Sequence, residues 1–287
     1  MLESAAGQSG AKLSSFGIEK LAFEVGPGSF AAPHEDIFIL DSAMSKPKRL
    51  ATGTNAVWSP DGQEIAYCAH EGWGTLHIVL GQMQVINTDG SGHKQLTNLP
   101  GGACPIGWSR DGQKIVFGGS THGVLILAPD EKPVTVLPGP VGMWSPDESK
   151  LAFWKYRESR NSSGSIWIAN ADGTDPKKVI DDNSEVVELA WDPDGKSILF
   201  CSEREHKGKS QIFRVALDGT NLGTVAEDEK LSFFSPVISP DGKYLVVDAY
   251  PAHGSGASTI MILDLSNHSR TVLGHGTHPH IVWQKPL

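Results

Sequence analysis

The sequence has no long apolar run and no excess of basic residues. None of its 287 residues belongs to an apolar stretch of about 18 or more, the length that a membrane-spanning helix needs. The formal net charge is −9 at pH 7, whereas sequence-independent contact with phosphates requires a basic face. We therefore expect neither membrane insertion nor binding to nucleic acid.

Cysteine is also scarce. The three cysteines, Cys68, Cys104 and Cys201, lack the spacing of metal ligands, and their number is odd. A chain of this length does not need a disulfide framework to form a stable core. We expect all three cysteines to be reduced, buried packing residues.

Signals for targeting and for catalysis are missing as well. The first residues are small and polar, without the basic and apolar regions of a signal peptide. As written this indicates the cytoplasm, but a processed or trimmed chain would suit the periplasm, so the compartment stays open. We find no nucleophile elbow of the G-x-S-x-G type and no H-E-x-x-H pair. We expect no catalytic residues and favour a non-enzymatic protein, although a repeat protein can assemble a site from distant loops.

The sequence does contain a repeated five-residue word. It reads WSPDG at 58–62 and ISPDG at 238–242, and the truncated echo VWQKP ends the chain. The anchor residues of the word are Trp58, Trp108, Trp144, Trp191, Ile238 and Trp283. Their separations of 36 to 50 residues match one four-stranded propeller blade.

Each word has the chemistry of a tight turn between two strands. Proline fixes φ, aspartate bonds to its own backbone, and glycine accepts a positive φ. A second turn of the Asp-Gly type recurs later in the repeats, for example at Asp172-Gly173. We therefore interpret the words as a–b turns, with the tryptophans packed between blades and the aspartates in structural roles.

The two ends of the chain complete one blade. Residues 20–25, 36–40 and 47–52 read as strands b, c and d without a strand a, whereas residues 278–283 read as a strand a without a strand b. A ring closed in this way leaves no open sheet edge. We predict an all-β, six-bladed β-propeller over residues 18–287, closed by the C-terminal strand a, and a flexible N-terminal segment over residues 1–17.

The repeat resembles that of TolB-like, WD-repeat-like β-propellers. The word at 58–62, the following IAY and the later INTDGSGHKQLT at 86–97 carry the resemblance, which extends over nearly the whole chain from about residue 18. It implies a protein-binding scaffold, often in the bacterial envelope. Related propellers also occur attached to serine peptidases and as a metal-dependent lyase of pectate fragments.

Candidate binding residues collect on one face. The b–c and d–a connections lie on the same face of a propeller, and here they are the long and variable ones, so we call it the irregular face. We expect it to bind a protein or peptide, in a monomeric propeller that can also join a larger complex. The partner-binding candidates are Trp73, Tyr156, Arg157, Arg204, His206, Tyr250 and His278.

Histidines on the same face give an alternative. Neutral imidazoles that converge on the channel can hold a transition metal with an open coordination position. The alternative is a divalent transition metal in a metal-dependent lyase or hydrolase, whereas the leading interpretation has no cofactor. Spacing cannot test this set, because each ligand comes from a different blade. The alternative ligands are His122, His206, His253 and His278.

Overall fold

The computed structural model describes nine stretches of the chain, which together form one ring of six four-stranded antiparallel sheets. The prediction of a six-bladed β-propeller is confirmed. The described residues are 10–26, 35–69, 81–119, 123–127, 134–137, 141–155, 164–182, 188–252 and 256–284.

The strands follow one another from the innermost strand a to the outermost strand d of each blade. Blade one consists of β24 (Thr277–Trp283), β1 (Ile18–Val25), β2 (Asp36–Asp41) and β3 (Lys48–Thr52); blade two of β4 (Thr54–Trp58), β5 (Glu64–Ala69), β6 (Gln82–Asn87) and β7 (Lys94–Gln95); and blade three of β8 (Cys104–Trp108), β9 (Ile115–Gly119), β10 (Gly123–Leu127) and β11 (Val134–Leu137). Blade four consists of β12 (Val141–Trp144), β13 (Lys150–Lys155), β14 (Gly164–Asn170) and β15 (Lys177–Asp182); blade five of β16 (Leu189–Trp191), β17 (Ser197–Ser202), β18 (Gln211–Ala216) and β19 (Gly223–Ala226); and blade six of β20 (Leu231–Ile238), β21 (Tyr244–Pro251), β22 (Thr259–Asp264) and β23 (Arg270–His275).

The ring closes through β24, as predicted from the two chain ends. This strand pairs antiparallel with β1, and the register places Ala22 opposite His280 and Glu24 opposite Thr277. The C-terminal strand thus becomes the innermost strand of the blade that the N-terminal strands begin.

The repeated words form the a–b turns. In four of them the serine hydroxyl donates to the aspartate two residues later, with the same oxygen–oxygen distance of 2.6 Å. The same aspartate also accepts a backbone N–H, as Asp61 does from Gln63 at 3.0 Å. Hydrogen bonds from Ser145 and Ser149 lower the pKa of Asp147 to about 2. These carboxylates therefore serve the turns that contain them.

Tryptophans of the words connect neighbouring blades. The indole N–H of Trp108 donates to the carbonyl of Val57 at 3.3 Å, and that of Trp191 donates to the carbonyl of Met143 at 3.0 Å. The ring of Trp191 is almost fully buried, in one hydrophobic cluster with Ile198. Packing of these side chains between blades is what the sequence predicts.

The prediction of three reduced cysteines is wrong for two of them. Cys68, at the end of β5, and Cys104, at the start of β8, form a disulfide with a Cα–Cα distance of 4.8 Å. Cys201 lies outside this disulfide, and its thiol is buried. The partners lie 36 residues apart and meet because strand b of blade two ends beside strand a of blade three, which spacing along the chain cannot reveal.

Residues 10–17 pack on the propeller, which differs from the flexible segment that we expected. They contain the short helix α1 (Gly10–Ser14). Leu13 is fully buried in the core of blades one and six, and Phe16 makes an edge-on ring contact with Tyr244. Burial of these two apolar side chains holds the segment in place. The helix has five residues, and among the described residues no helix is long and apolar enough to cross a bilayer.

The disulfide leads to a prediction about thiol content and stability. Alkylation of the unreduced, denatured protein should modify Cys201 alone, and all three cysteines should react after reduction. Reduction should lower the free energy of unfolding by about 2–4 kcal/mol, because the unfolded chain regains the freedom of a closed loop. Mass spectrometry and urea unfolding with and without reductant measure the two effects. Three reactive cysteines without reductant would contradict the pairing.

Candidate binding site at the channel mouth

Strand a carries the same irregularity in three blades. In each, a residue with positive φ interrupts the pairing with strand b: Asn55 (φ 55°), Ser235 (φ 48°) and His278 (φ 48°). A β-bulge of this kind leaves one residue outside the ladder. The anchor of the word follows three residues later, at Trp58 and Ile238. The register therefore gives the sixth anchor position to Ile281, and not to Trp283 as the sequence suggested.

A carboxylate of the preceding blade accepts the backbone N–H of each bulge residue. Glu24 accepts from Asn55, Glu188 accepts from Ser235, and Asp248 accepts from the backbone of His278 at 3.3 Å. Glu24 and Asp248 occupy the same place in strand b of blades one and six, because each faces the residue that precedes the bulge. We call these contacts the carboxylate clasps.

The clasps bring two carboxylates to the imidazole of His278. Its Nδ1 lies 3.2 Å from Oε2 of Glu24, and its Nε2 lies 3.5 Å from Oε1 of Glu188. Burial alone would lower the pKa of His278, but the charges and hydrogen bonds of Glu24 and Glu188 outweigh it and raise the pKa well above 6.5. His278 is therefore an imidazolium at neutral pH, held between two carboxylates.

Other ionisable groups complete the site. Burial, together with the neighbouring Glu24, raises the pKa of Glu35 to about 7. Burial and the charge of Glu188 raise the pKa of Asp248 to about 6. Burial also raises the pKa of Tyr250 to about 12, and the charge of Asp248 adds to the effect. We call this set the channel-mouth cluster; its members are Glu24, Glu35, Glu188, Asp248, Tyr250 and His278.

The cluster contains hydrogen-bonding capacity that the described residues do not use. Ten buried polar side-chain atoms in the described residues have no hydrogen-bond partner, and five of them lie on neighbouring residues at this mouth. Two of the five, Oε2 of Glu24 and Nδ1 of His278, form the 3.2 Å ion pair with each other. The other three are Oγ of Ser235, Oδ1 of Asp248 and Oγ1 of Thr277. The turn aspartates on the opposite face, by contrast, are occupied by their own turns.

Two of the predicted partner-binding residues meet in this cluster, and two others lie elsewhere. Tyr250 and His278 belong to it. Arg204 lies on blade five, where its guanidinium is 3.4 Å from the buried carboxylate of Asp182 and 5.7 Å from the ring of Phe213. The candidates outside the described residues are Trp73, Tyr156, Arg157, His122 and His253.

His206 lies in a separate groove on the irregular face. The groove has a volume of about 730 Å³ and runs between the b–c loop of blade five and blade six. His206 is grouped there with Glu205 and Glu227, all exposed, whereas His278 is grouped with Glu24 and Glu35. The histidine set of the alternative is therefore divided where the structure describes it. The groove is lined by His206, Lys209, Glu227, Asp228, Glu229, Lys230 and Arg270.

Sequence reasoning missed the four acidic residues of the cluster. Glu24 and Asp248 each interrupt an apolar strand b, in LAFEV (21–25) and LVVDAY (245–250). A carboxylate at the same place in two repeats is a signal, because an ionised group inside a core strand needs a partner. Glu35 and Glu188 lie next to loops and offer no comparable signal.

The ring of six four-stranded sheets defines the class of protein, a six-bladed β-propeller. A family model described as the TolB beta propeller domain matches residues 131–281, just over half of the chain. The chain therefore belongs to the TolB β-propeller family.

Individual relatives are distant. Dipeptidyl-peptidase 5 of Porphyromonas endodontalis is 25% identical over 241 residues, a match that covers 73% of this chain and 32% of the relative. The chain thus spans about a third of that relative. Among solved structures, a putative TolB from Agrobacterium tumefaciens has a TM-score of 0.65 and 16% identity, with 91% of both chains covered. TolB from Acinetobacter baumannii has a TM-score of 0.72 and 17% identity, with 94% of this chain and 69% of that chain covered.

The raised pKa of Asp248 predicts a change of stability with pH. The folded-state pKa of about 6 lies above the ordinary 3.8, so the folded chain binds this proton more tightly than the unfolded chain does. Ionisation of Asp248 therefore costs stability as the pH rises from about 4 to about 6. Asp248→Asn should gain stability relative to the wild type by on the order of 1–3 kcal/mol between pH 4 and pH 7.

Urea unfolding at several pH values between 4 and 7 measures this difference. Asp175→Asn, on an exposed turn, controls for the same chemical exchange. Parallel stability curves for the wild type and Asp248→Asn would contradict the prediction.

Proposed function

We propose that this propeller is a non-enzymatic scaffold that binds a protein or peptide with its irregular face and channel mouth. The observation that carries the proposal is the difference between the two faces. The a–b turns satisfy their own polar groups, whereas the channel mouth gathers charged side chains with free hydrogen-bonding atoms. Buried polar groups of this kind gain most from a ligand that completes their hydrogen bonds.

The similarities support a peptide-like ligand. Two relatives are named dipeptidyl-peptidase 5, and peptides are what that name says they act on. The separate His206 groove offers a mixture of acidic and basic side chains on the same face. Such a rim suits the polar edge of a protein interface.

The groove offers residues that test the proposal without damage to the fold. Lys209 and His206 line it, and His206 is exposed. Arg204 is less suitable, because its removal would leave the buried carboxylate of Asp182 without its ion pair.

We expect the double variant His206→Ala/Lys209→Ala to capture the partner about tenfold more weakly than the wild type, because truncation of groove side chains removes interface contacts. The measurement is quantitative mass spectrometry of proteins retained from an extract of the source cells. Lys243→Ala, on an a–b turn of the opposite face, is the control and should retain wild-type capture. Trp73→Ala belongs in the same panel. Equal capture by all variants, at unchanged melting temperature, would contradict the proposal.

The second candidate function is a metal-dependent lyase or hydrolase. Ligand atoms of Glu24, Glu35 and His278 lie within 4.8 Å of one another, which is the observation in its favour. The protonation of His278 opposes it, because a metal ligand must be a neutral imidazole, and both ring nitrogens of His278 face carboxylates. The residues of this cluster therefore fit a transition metal poorly at neutral pH.

Metal analysis separates the two functions. We expect protein purified without added metal to contain far less than one equivalent of any transition metal, because the proton on His278 competes with the ion. Inductively coupled plasma mass spectrometry measures the content. One tightly held equivalent, lost in His278→Ala and kept in His206→Ala, would favour the metal-dependent enzyme.

A further inference from the structure

The channel-mouth cluster carries more negative charge than its own cation offsets. The imidazolium of His278 is paired with Glu24 and Glu188, and two further carboxyl groups, those of Asp248 and Glu35, lie next to this arrangement. Their pKa values are raised partly by the acidic neighbours. A cation that enters the mouth would relieve this repulsion.

One carboxylate acceptor of the cluster is buried and lacks a donor. Asp248 is 1% exposed, and its Oδ1 has no hydrogen-bond partner among the described residues. Oε2 of Glu24, by contrast, is paired with Nδ1 of His278 at 3.2 Å. The Ser235 hydroxyl lies close enough to lower the pKa of Asp248, yet its Oγ also lacks a partner of good geometry. The mouth therefore presents a buried carboxylate acceptor, that of Asp248, which suits a ligand with N–H donors.

An aromatic ring borders the same acceptors. Tyr250 lies close enough to Asp248, His278 and Glu35 for their charges to affect its pKa. The ring of Phe234 meets that of Tyr250 edge to face, with centroids 5.5 Å apart and planes at 87°. Aromatic rings beside carboxylates favour organic cations.

We propose that the channel-mouth cluster is the subsite for one basic side chain, lysine or arginine, of the bound peptide. This inference rests on the proposed function and names the chemistry that the mouth selects. The unpartnered acceptor belongs to the buried Asp248, whereas the side chain of His278 is 42% exposed. The cation therefore has to reach below the surface on a slender stem. The methylene stems of lysine and arginine meet this requirement.

Short peptides test the proposal on the full chain. The probes are acetyl-Gly-Lys-Gly-amide and acetyl-Gly-Arg-Gly-amide, their acetyllysine and citrulline counterparts, and Gly-Gly-Gly-amide with a free N-terminus. Isothermal titration calorimetry gives the affinities, and the NMR signals of the His278 ring report the place of binding. We expect the basic peptides to bind at least about tenfold more tightly than their neutral counterparts, because charge-assisted hydrogen bonds are lost on neutralisation.

Matched variants locate the effect. Asp248→Asn should weaken the basic peptides about tenfold, because it removes one charged acceptor, and Asp175→Asn should leave them unchanged. If Asp248→Asn fails to fold, the comparison of charged and neutral peptides on the wild type decides alone. Equal binding of charged and neutral peptides, binding through the free N-terminus only, or no binding of any probe would overturn the proposal.

The outcome is separable from that of the proposed function. If capture depends on His206 and Lys209 but none of the peptide probes binds, the scaffold function is supported and the basic-side-chain subsite is contradicted. Probes that bind, together with capture that is indifferent to the groove variants, would support the subsite and contradict a partner surface that includes the groove.

Discussion

The rest of the site depends on the backbone N–H of the bulge residue in strand a. A regular strand would use this N–H in its own ladder, whereas the bulge turns it toward the preceding blade. A buried N–H without an acceptor costs roughly 1–3 kcal/mol, so each such junction requires one. At three junctions the acceptor is a carboxylate, from Glu24, Glu188 or Asp248. Between blades two and three, the disulfide of Cys68 and Cys104 connects the same two strand ends covalently.

The clasps also explain the electrostatics of the channel mouth. The three clasp carboxylates, together with Glu35, crowd acidic groups around one point of the ring, and mutual repulsion is the consequence. His278 offsets part of it as an imidazolium. Proton uptake by Glu35 near pH 7 and by Asp248 near pH 6 offsets more. The carboxylates that accept these backbone N–H groups join neighbouring blades. They also give the channel mouth its negative charge, and Oδ1 of Asp248 is left without a donor among the described residues. On the opposite face, the carboxylate of each Ser-x-Asp turn accepts hydrogen bonds from the turn that contains it.

The fold was predictable from sequence because its signals are local. Aspartate, in most words together with proline and glycine, determines the a–b turn within five residues. The N-terminal strands lack a strand a, and the C-terminal strand supplies it. The site was not predictable in this way. Glu24 and Asp248 lie more than two hundred residues apart and meet only because blades one and six are neighbours in the ring. Their position inside apolar strands was a usable signal, whereas the conspicuous histidines were a poor guide: His278 is held by carboxylates, and His206 lies in a separate groove.

Membership of the TolB β-propeller family accounts for the fold. The ligand is inferred from the residues at the channel mouth. The chain corresponds to 32% of the peptidase relative, so that relative's activity cannot be assigned to it on similarity alone. At the mouth itself, His278 has both ring nitrogens directed at carboxylates and holds its proton at neutral pH, which removes the lone pair that a general base or a metal ligand would need. Glu24 and Asp248 are immobilised by backbone N–H groups of the next blade. An arrangement with fixed charges and fixed acceptors is suited to recognition, because it loses little freedom when a complementary cation enters.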